Sequence, residues 1–381
     1  MVAFPRLAAE SLAFSILRVS FDERSGASLA ARWRQRSFLP ERKNLRFLRA
    51  LPTTIVILFA FGFGAWGAMA LWYRAPFPPA LRMALGALWL AVMLAALVVF
   101  IAGRRRQGVG LGAVAIVLLL AWWSTLAPSG ERDWAPEVAR TVHGEVAGDR
   151  LTLTDVRNFE WRSESDFTPR WETRSYDLAK LASVDLIADY WTGEAIAHVF
   201  VSFGFSDGQY LAWSVELRKV RGQAWSALAG FFKQSELVAL AGDERDLIRL
   251  RTNVREEDLR LYRLNVDRDV ARKALLAYVE EANKLGAEPR WYNTATTNCT
   301  TAVFKIARMV EPGVPLDWRV FISGYFPDYA YDHHALDSAV PFAELRERSK
   351  ISARAKAADA APSAEFSKAI RVGVPGVPAT P

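Results

Sequence analysis

The sequence predicts a membrane α-helical N-terminal region with three transmembrane helices, followed by an α+β domain. Three observations predict it. Between Leu51 and Ala127 lie three apolar stretches of about 20 residues, the length that crosses a bilayer as helix, with no ionisable side chain inside any of them. From residue 129 onward, stretches that alternate apolar and polar residues are interspersed with stretches of helical period. The charge divides at the same place. Residues 1–50 hold ten Lys/Arg against four Asp/Glu, residues 51–128 hold five arginines and no acid, and the remainder carries −4 of the total +7.

The spans read as 51–73, 83–103 and 108–127. Lys/Arg bias sets their expected orientation. Arg32, Arg34, Arg36, Arg42, Lys43, Arg46 and Arg49 precede the first span, and Arg104, Arg105 and Arg106 separate the second from the third. The N-terminus and the Arg104–Arg106 turn are therefore expected in the cytoplasm, and the chain after residue 129 on the far side. Trp122 and Trp123 near that exit have the character of interfacial anchors. Residues 1–50 form a basic cytoplasmic segment, too long and polar for the start of a cleaved signal peptide. Within it, Leu12–Arg18 is a candidate amphipathic helix on the inner membrane surface. A loosely ordered tail and a misassigned start site are the alternatives.

Of the 381 residues, 51% are hydrophobic and 23% charged, which excludes a disordered chain and a disulfide-stapled miniprotein. A mean hydropathy of +0.06 is too low for a chain wholly inside a membrane. The acidic balance after residue 129 argues against a nucleic-acid partner.

The domain is expected over 129–348. His143–Thr154 reads as a hairpin turning at Gly148-Asp149. Ser183–Trp191 reads as a strand or a short helix. Ala197–Phe205 and Tyr210–Lys219 alternate and are rich in β-formers, and Ser206-Asp207-Gly208-Gln209 joins them as a hairpin. Leu247–Arg251 reads as a weaker strand. Val270–Leu285 is a helix with Leu275, Leu276, Val279 and Ala282 on one side, and Thr300–Val310 is another. Residues 349–381, rich in Ala, Pro, Ser and Gly, read as a disordered tail.

Cys299 is the one cysteine of the chain, so it forms no intramolecular disulfide. It falls at or beside the first turn of a helix, preceded by a polar loop. Free N–H groups and the helix dipole there favour a thiolate. Its own backbone N–H is well placed to help stabilise an oxyanion. The competing reading is a small buried residue between helix and sheet, which the Thr and Asn on both sides disfavour. A cysteine nucleophile needs a base. Of the four histidines, His198 lies on the first strand of the 197–219 hairpin, His143 in the early hairpin, and His333 and His334 in a loop after the Cys helix. The paired histidines lack further ligands at useful spacing, so neither metal nor cofactor is expected. The third group should come from the neighbouring strand, where Ser214 and Glu216 share a face. A tight two-residue turn would set Leu217 opposite His198, and a longer loop would set Glu216 there. Glu216 is preferred because a carboxylate both orients and stabilises an imidazolium. Arg157, Asn158 and the segment Asp166–Arg170 are candidates for a substrate groove or for surface pairing. Ser214, Asn293, Asn298 and Thr300 are candidates to line the substrate or the oxyanion. The charged run Asp243–Asn253 reads as solvated and salt-bridged.

Seven segments then occur in a fixed order: Val156-Arg-Asn-Phe159, Asp166-Phe-Thr-Pro-Arg170, Tyr176-Asp-Leu178, His198 through Phe205, Ser214-Val-Glu216, Arg249-Leu-Arg-Thr-Asn253, and Tyr292-Asn293 with Asn298-Cys-Thr-Thr301. Together they resemble the Lnb-type lipoprotein N-acyltransferases, a bacterial family long known only as a domain of unknown function. The resemblance covers about 130–340 and leaves the three spans outside it. The family is similar to circularly permuted papain-like, NlpC-type proteins, in which histidine precedes cysteine, as His198 precedes Cys299. It implies a papain-like domain with an antiparallel sheet and a Cys-bearing helix, periplasmic and anchored in the bacterial inner membrane. It further implies transfer of an acyl chain from a phospholipid donor to the N-terminal amine of a lipoprotein acceptor, through a thioester on Cys299. His198 would activate the thiol and later accept the amine proton. Two other functions fit the residues: an envelope hydrolase of the same fold, and a non-catalytic membrane protein that binds an envelope partner.

Overall fold

The computed structural model describes the backbone of residues 42–378 and the side chains of 51–378. The expectation for Leu12–Arg18 lies outside the described residues. Three helices open the described chain: α1 (Arg42–Arg74), α2 (Pro79–Ile101) and α3 (Arg105–Thr125). Each is long and apolar enough to cross a membrane. Most of their large side chains face outward, as the lipid-facing residues of a membrane helix do. Gly108 of α3 lies so close to α2 that a Cβ there would sit 2.6 Å from the Ala96 carbonyl, so only glycine permits that approach.

The domain is built on β1 (His143–Ala147), β2 (Arg150–Arg157), β3 (Glu160–Trp161), β4 (Phe167–Thr168), β5 (Trp171–Asp177), β6 (Leu181–Tyr190), β7 (His198–Phe205), β8 (Tyr210–Arg218) and β9 (Glu236–Gly242). After β9 come α4 (Glu244–Arg249), β10 (Asp258–Arg263), α5 (Arg268–Ala287), α6 (Cys299–Val310), α7 (Phe326–Asp332), α8 (Phe342–Arg348), α9 (Ser352–Ala357) and α10 (Ser363–Ile370). Among the described residues, one sheet runs β1-β2-β9-β8-β7-β6-β10, with β5 also on β2, and β3 and β4 pair by themselves. The sheet is antiparallel except where Arg157 of β2 meets Gly242 of β9 in parallel, so it is mixed rather than the antiparallel sheet expected.

Both faces of the sheet are covered, which is why β7 and β9 are nearly continuous apolar runs and β6 is buried over most of its length. One face packs Val199, Val201, Phe203 and Trp213 against α5 and α6. Asp267 caps α5 by accepting a hydrogen bond from Val270 N at 2.8 Å, and Leu275, Val279 and Ala282 point to the core as their spacing predicts. The other face packs Ile187, Phe200 and Ala212 against Leu247 and Ile248 of α4 and against the C-terminal segment.

That segment corrects the expectation of a disordered tail over 349–381. Composition misleads there because the few apolar residues fall where the second face of the sheet lies uncovered. Ile351, Ala355, Phe366 and Ile370 are completely buried. Arg371 closes the packing with buried ion pairs to Asp185 and Glu244. The folded domain therefore continues past 348. The run Asp243–Asn253 is also not a solvated segment, and Leu247–Arg251 is not a strand. α4 and the wider π-turn that follows it (Leu250–Val254) are mostly buried, with Arg251 and Thr252 inside the protein. Charge spacing suggested exposure, but each of these charges meets a partner from elsewhere in the chain.

Candidate active site

The hairpin β7–β8 sets the site. Phe205 pairs with Gln209 around a three-residue loop, Ser206–Gly208: Phe205 N donates to Gln209 O, and Gly208 N to Phe205 O. Gly208 has φ +87°, the left-handed residue that this loop length requires. The register runs from Gly204↔Tyr210 to Val201↔Trp213. Continued three residues further, it places Glu216 across from His198, the outcome expected of the longer loop.

The third member is nevertheless not Glu216 alone. His198 Nε2 lies 2.8 Å from Ser214 Oγ, which in turn donates to Glu216 Oε1 at 3.0 Å. The carboxylate is 3.7 Å from the ring nitrogen. Ser214, read as the alternative third group or as a lining residue, is almost fully buried and bridges histidine to carboxylate. Behind Glu216 stands Arg251, whose Nη2 donates to Glu216 Oε1 at 2.8 Å and whose Nε is 3.1 Å from Asp189 Oδ2. Asp189 is the ladder partner of His198 on β6. Phe200 stacks on His198 with centroids 5.6 Å apart and lies under the Arg251 guanidinium at 5.1 Å. The ring is thus fixed in place, and its Nε2 is engaged by Ser214. Proton exchange with the thiol falls to Nδ1.

Cys299 arrives from the other direction. Asn293 and Thr297 exchange two backbone hydrogen bonds of 3.0 Å, closing a tight loop. Asn293 Oδ1 accepts from the N–H groups of Ala295 and Thr296 inside it. Asn298 then caps α6: its Oδ1 accepts from Thr301 N at 2.9 Å, and its own N donates to Thr301 Oγ1 at 2.8 Å. This capping box fixes Cys299 as the first residue of the helix. Asn293 and Asn298 therefore position the nucleophile, and Asn298 also borders a cavity beside the helix. Thr300 is buried, with its hydroxyl 3.8 Å from the sulfur. Cys299, as the first residue of the helix, has a backbone N–H with no intrahelical acceptor, which makes it the candidate donor to an oxyanion.

The electrostatics follow from this geometry. Burial pushes the Cys299 thiol up, but the His198 charge and its hydrogen bond, the Val199 N–H and the Thr300 hydroxyl outweigh it and bring the thiol down to about 7. Burial pushes His198 down, but the Cys299 charge and hydrogen bonding to the sulfur and to Glu216 outweigh it and raise the imidazolium to about 9. Burial also works against the Glu216 charge, and Arg251, followed by His198, holds that carboxyl well below its ordinary 4.5. The same attraction lowers the thiol and raises the imidazole, so the charged form of each favours the charged form of the other. Burial raises Asp189 to about 7, with Arg251 opposing and Glu257 reinforcing the shift.

A pH profile tests this pair. Alkylation of Cys299 should rise through about pH 7, well below an ordinary thiol at 9.0. In His198→Ala the rise should move to the alkaline side, because burial then acts unopposed by the imidazolium. An alkylation profile that is the same in both proteins would show that the two residues do not interact.

Other candidates are engaged elsewhere. Arg157 is almost completely buried and makes a two-pronged pair with Asp246, at 2.9 and 3.0 Å, and Asn158 donates to Glu172 at 2.8 Å. Both tie β2 to its neighbours, Arg157 to α4 and Asn158 to β5. Asp166 pairs with Arg162 on the surface. His333 rests against the Tyr329 ring at 4.4 Å. Arg251 and Asp189 escaped the sequence reading. Arg251 lay in one of the ordered segments, but nothing local distinguished it from the surface arginines beside it.

The site residues Cys299, His198, Ser214, Glu216, Arg251 and Asp189 all fall in one stretch, residues 167–324, that matches the family model of the Lnb N-terminal periplasmic domain. Over this stretch the chain is similar to the Lnb family. The chain is thus a membrane protein in which three membrane-capable helices precede an Lnb-type periplasmic domain. No curated protein and no solved structure matches it.

Proposed function

We propose that this Lnb-type protein is an acyltransferase that takes an acyl chain from a membrane phospholipid and passes it to the N-terminal amine of a lipoprotein. What carries the reading is the pairing of Cys299 as thiolate with His198 as imidazolium at a helix start, in a periplasmic domain that follows membrane helices.

In the first half-reaction the Cys299 sulfur attacks the ester carbonyl, and the oxyanion is met by the backbone N–H of Cys299 at the helix start. The ester C–O bond breaks, and Nδ1 of His198 gives its proton to the departing lysophospholipid oxygen. That leaves a thioester on Cys299 and a neutral imidazole. In the second half-reaction the acceptor amine attacks the thioester carbonyl, His198 takes the amine proton, and the C–S bond breaks to restore the ion pair. Ser214 and Glu216 hold the ring throughout, and Arg251 keeps Glu216 charged. The chain would lie in the inner membrane, with its N-terminus in the cytoplasm and the domain in the periplasm.

Mass spectrometry of the purified chain after incubation with phospholipid tests this. Expected is a fatty-acyl adduct on Cys299 that hydroxylamine removes and that His198→Ala lacks. Addition of a lipopeptide with a free N-terminal amine should discharge it. Lysophospholipid and free fatty acid without acylated peptide would make the protein a hydrolase. Intact phospholipid and no adduct would overturn the reading.

A further inference from the structure

The geometry points to a bilayer-docking surface: the loops around Cys299 form an apolar rim that rests in the outer lipid interface of the membrane that the chain's own helices cross. This inference concerns where the site sits and stands whether or not Cys299 carries acyl chains.

The domain is tied to the ends of its helices at the site. Lys233 Nζ donates to the carbonyls of Trp123 and Leu126, at 2.9 and 3.3 Å, where α3 ends. Trp291 Nε1 donates to the same Leu126 carbonyl at 3.2 Å. Phe232 stacks on Tyr73 near the end of α1, with centroids 5.4 Å apart, and the Arg74 guanidinium lies over the Trp291 ring at 4.8 Å. Trp291 opens the loop that carries Asn298 and Cys299, so the nucleophile sits eight residues from a side chain anchored to the end of a membrane-capable helix.

The rim continues from this anchor. Thr294 Oγ1 donates to Ala227 O at 2.7 Å, joining the Cys299 loop to the segment after β8. From that segment Trp225 meets Trp191 of the β6–β7 loop at 6.2 Å. The β6–β7 loop in turn bonds to Ser323 and Gly324 after α6, through Ala197 N to Ser323 Oγ and Gly324 N to Ala195 O. All of these loops leave the sheet at the end where His198 begins β7. They also carry large apolar side chains turned to solvent: Trp225 is 58% exposed, Trp318 56%, Phe321 51% and Leu228 51%. Tryptophans gathered at one end, continuous with the helix ends, match the aromatic belt of a membrane interface. The occupant is the lipid interface, because two of these loops, the one carrying Lys233 and the one opened by Trp291, are already hydrogen-bonded to the backbone where the bilayer ends.

Depth measurements on the full chain in phosphatidylethanolamine–phosphatidylglycerol vesicles test this. In a Cys299→Ser background, a nitroxide is attached at Trp225→Cys, at Phe321→Cys, or at Val372→Cys. Val372 is exposed beside Arg371, whose guanidinium lies over Tyr210 at the opposite end of the sheet. Collision with oxygen, which concentrates in the bilayer, is compared with collision with a water-soluble nickel chelate. The oxygen-to-nickel ratio at 225 and 321 should exceed that at 372 severalfold. Ratios equal to that at 372 would overturn the inference. Shielding of 225 and 321 from both reagents would overturn it too, by showing a protein partner in place of lipid. Neither result depends on turnover, so failure here is distinguishable from failure of the acyltransferase reading.

Discussion

Cys299→Ser is expected to lower acyl-enzyme formation by roughly 10⁴-fold or more, the scale of removing a nucleophile from a paired catalytic unit. The serine hydroxyl would stay protonated where the thiol is largely ionised, because a charge pair strong enough to bring a thiol to about 7 does not bring an alcohol into that range. His198→Ala should fall nearly as far by a different route: the thiol remains, but burial then keeps it protonated, and no group is left to protonate the departing oxygen. The two losses should not add. A double Cys299→Ser, His198→Ala variant no slower than either single one would identify a unit, measured as lysophospholipid release under single-turnover conditions. Losses that multiplied would mean that the two residues act independently.

Arg251→Met is expected to destabilise the domain by about 3–5 kcal/mol, the cost of stranding a buried charge partner. Arg251 is buried between Glu216 and Asp189, and both carboxylates lose their counter-charge with it. The sign of the pH dependence is fixed by Glu216. Its folded carboxyl lies well below 4.5, so it contributes stability above that pH and loses it as the pH falls toward the folded value. The variant lacks that contribution. The gap between wild type and Arg251→Met should therefore be widest near neutral pH and close below about 4.5, read from urea midpoints across pH. Arg251→Lys keeps the charge without the fork and should recover part of the stability. Because Arg251 acts through Glu216, it is a positioning residue, and Arg251→Met should also move the alkylation profile of Cys299. A profile that is unchanged despite lost stability would make its role purely structural.

The spans, the two hairpins, α5, α6 and the Cys299–His198 pair were legible because each rests on local signals: hydrophobic length, period and turn residues. The β7–β8 register was legible only to a choice of two, since the geometry of Ser206–Gly208 decides it. Arg157 and Arg251 could not be told apart in sequence, because each is an arginine beside apolar residues, and only the tertiary partner decides the role. For Arg157 that partner is Asp246 of α4, and for Arg251 it is Glu216 of β8. The C-terminal segment was misread because order there comes from a sheet face needing cover, which no composition of the segment itself reveals.

The three-residue loop at Ser206–Gly208 works as a ruler. It lies at the end of the hairpin away from His198, touches neither Cys299 nor Glu216, and still decides which side chain of β8 reaches the imidazole. If the same residues turned more tightly, at Asp207-Gly208 alone, the pairing would slip by one and bring Leu217 to His198 in place of Glu216. Natural variation at that turn should therefore change its residues freely, provided Gly208 keeps its left-handed backbone and Phe205 keeps its pairing with Gln209.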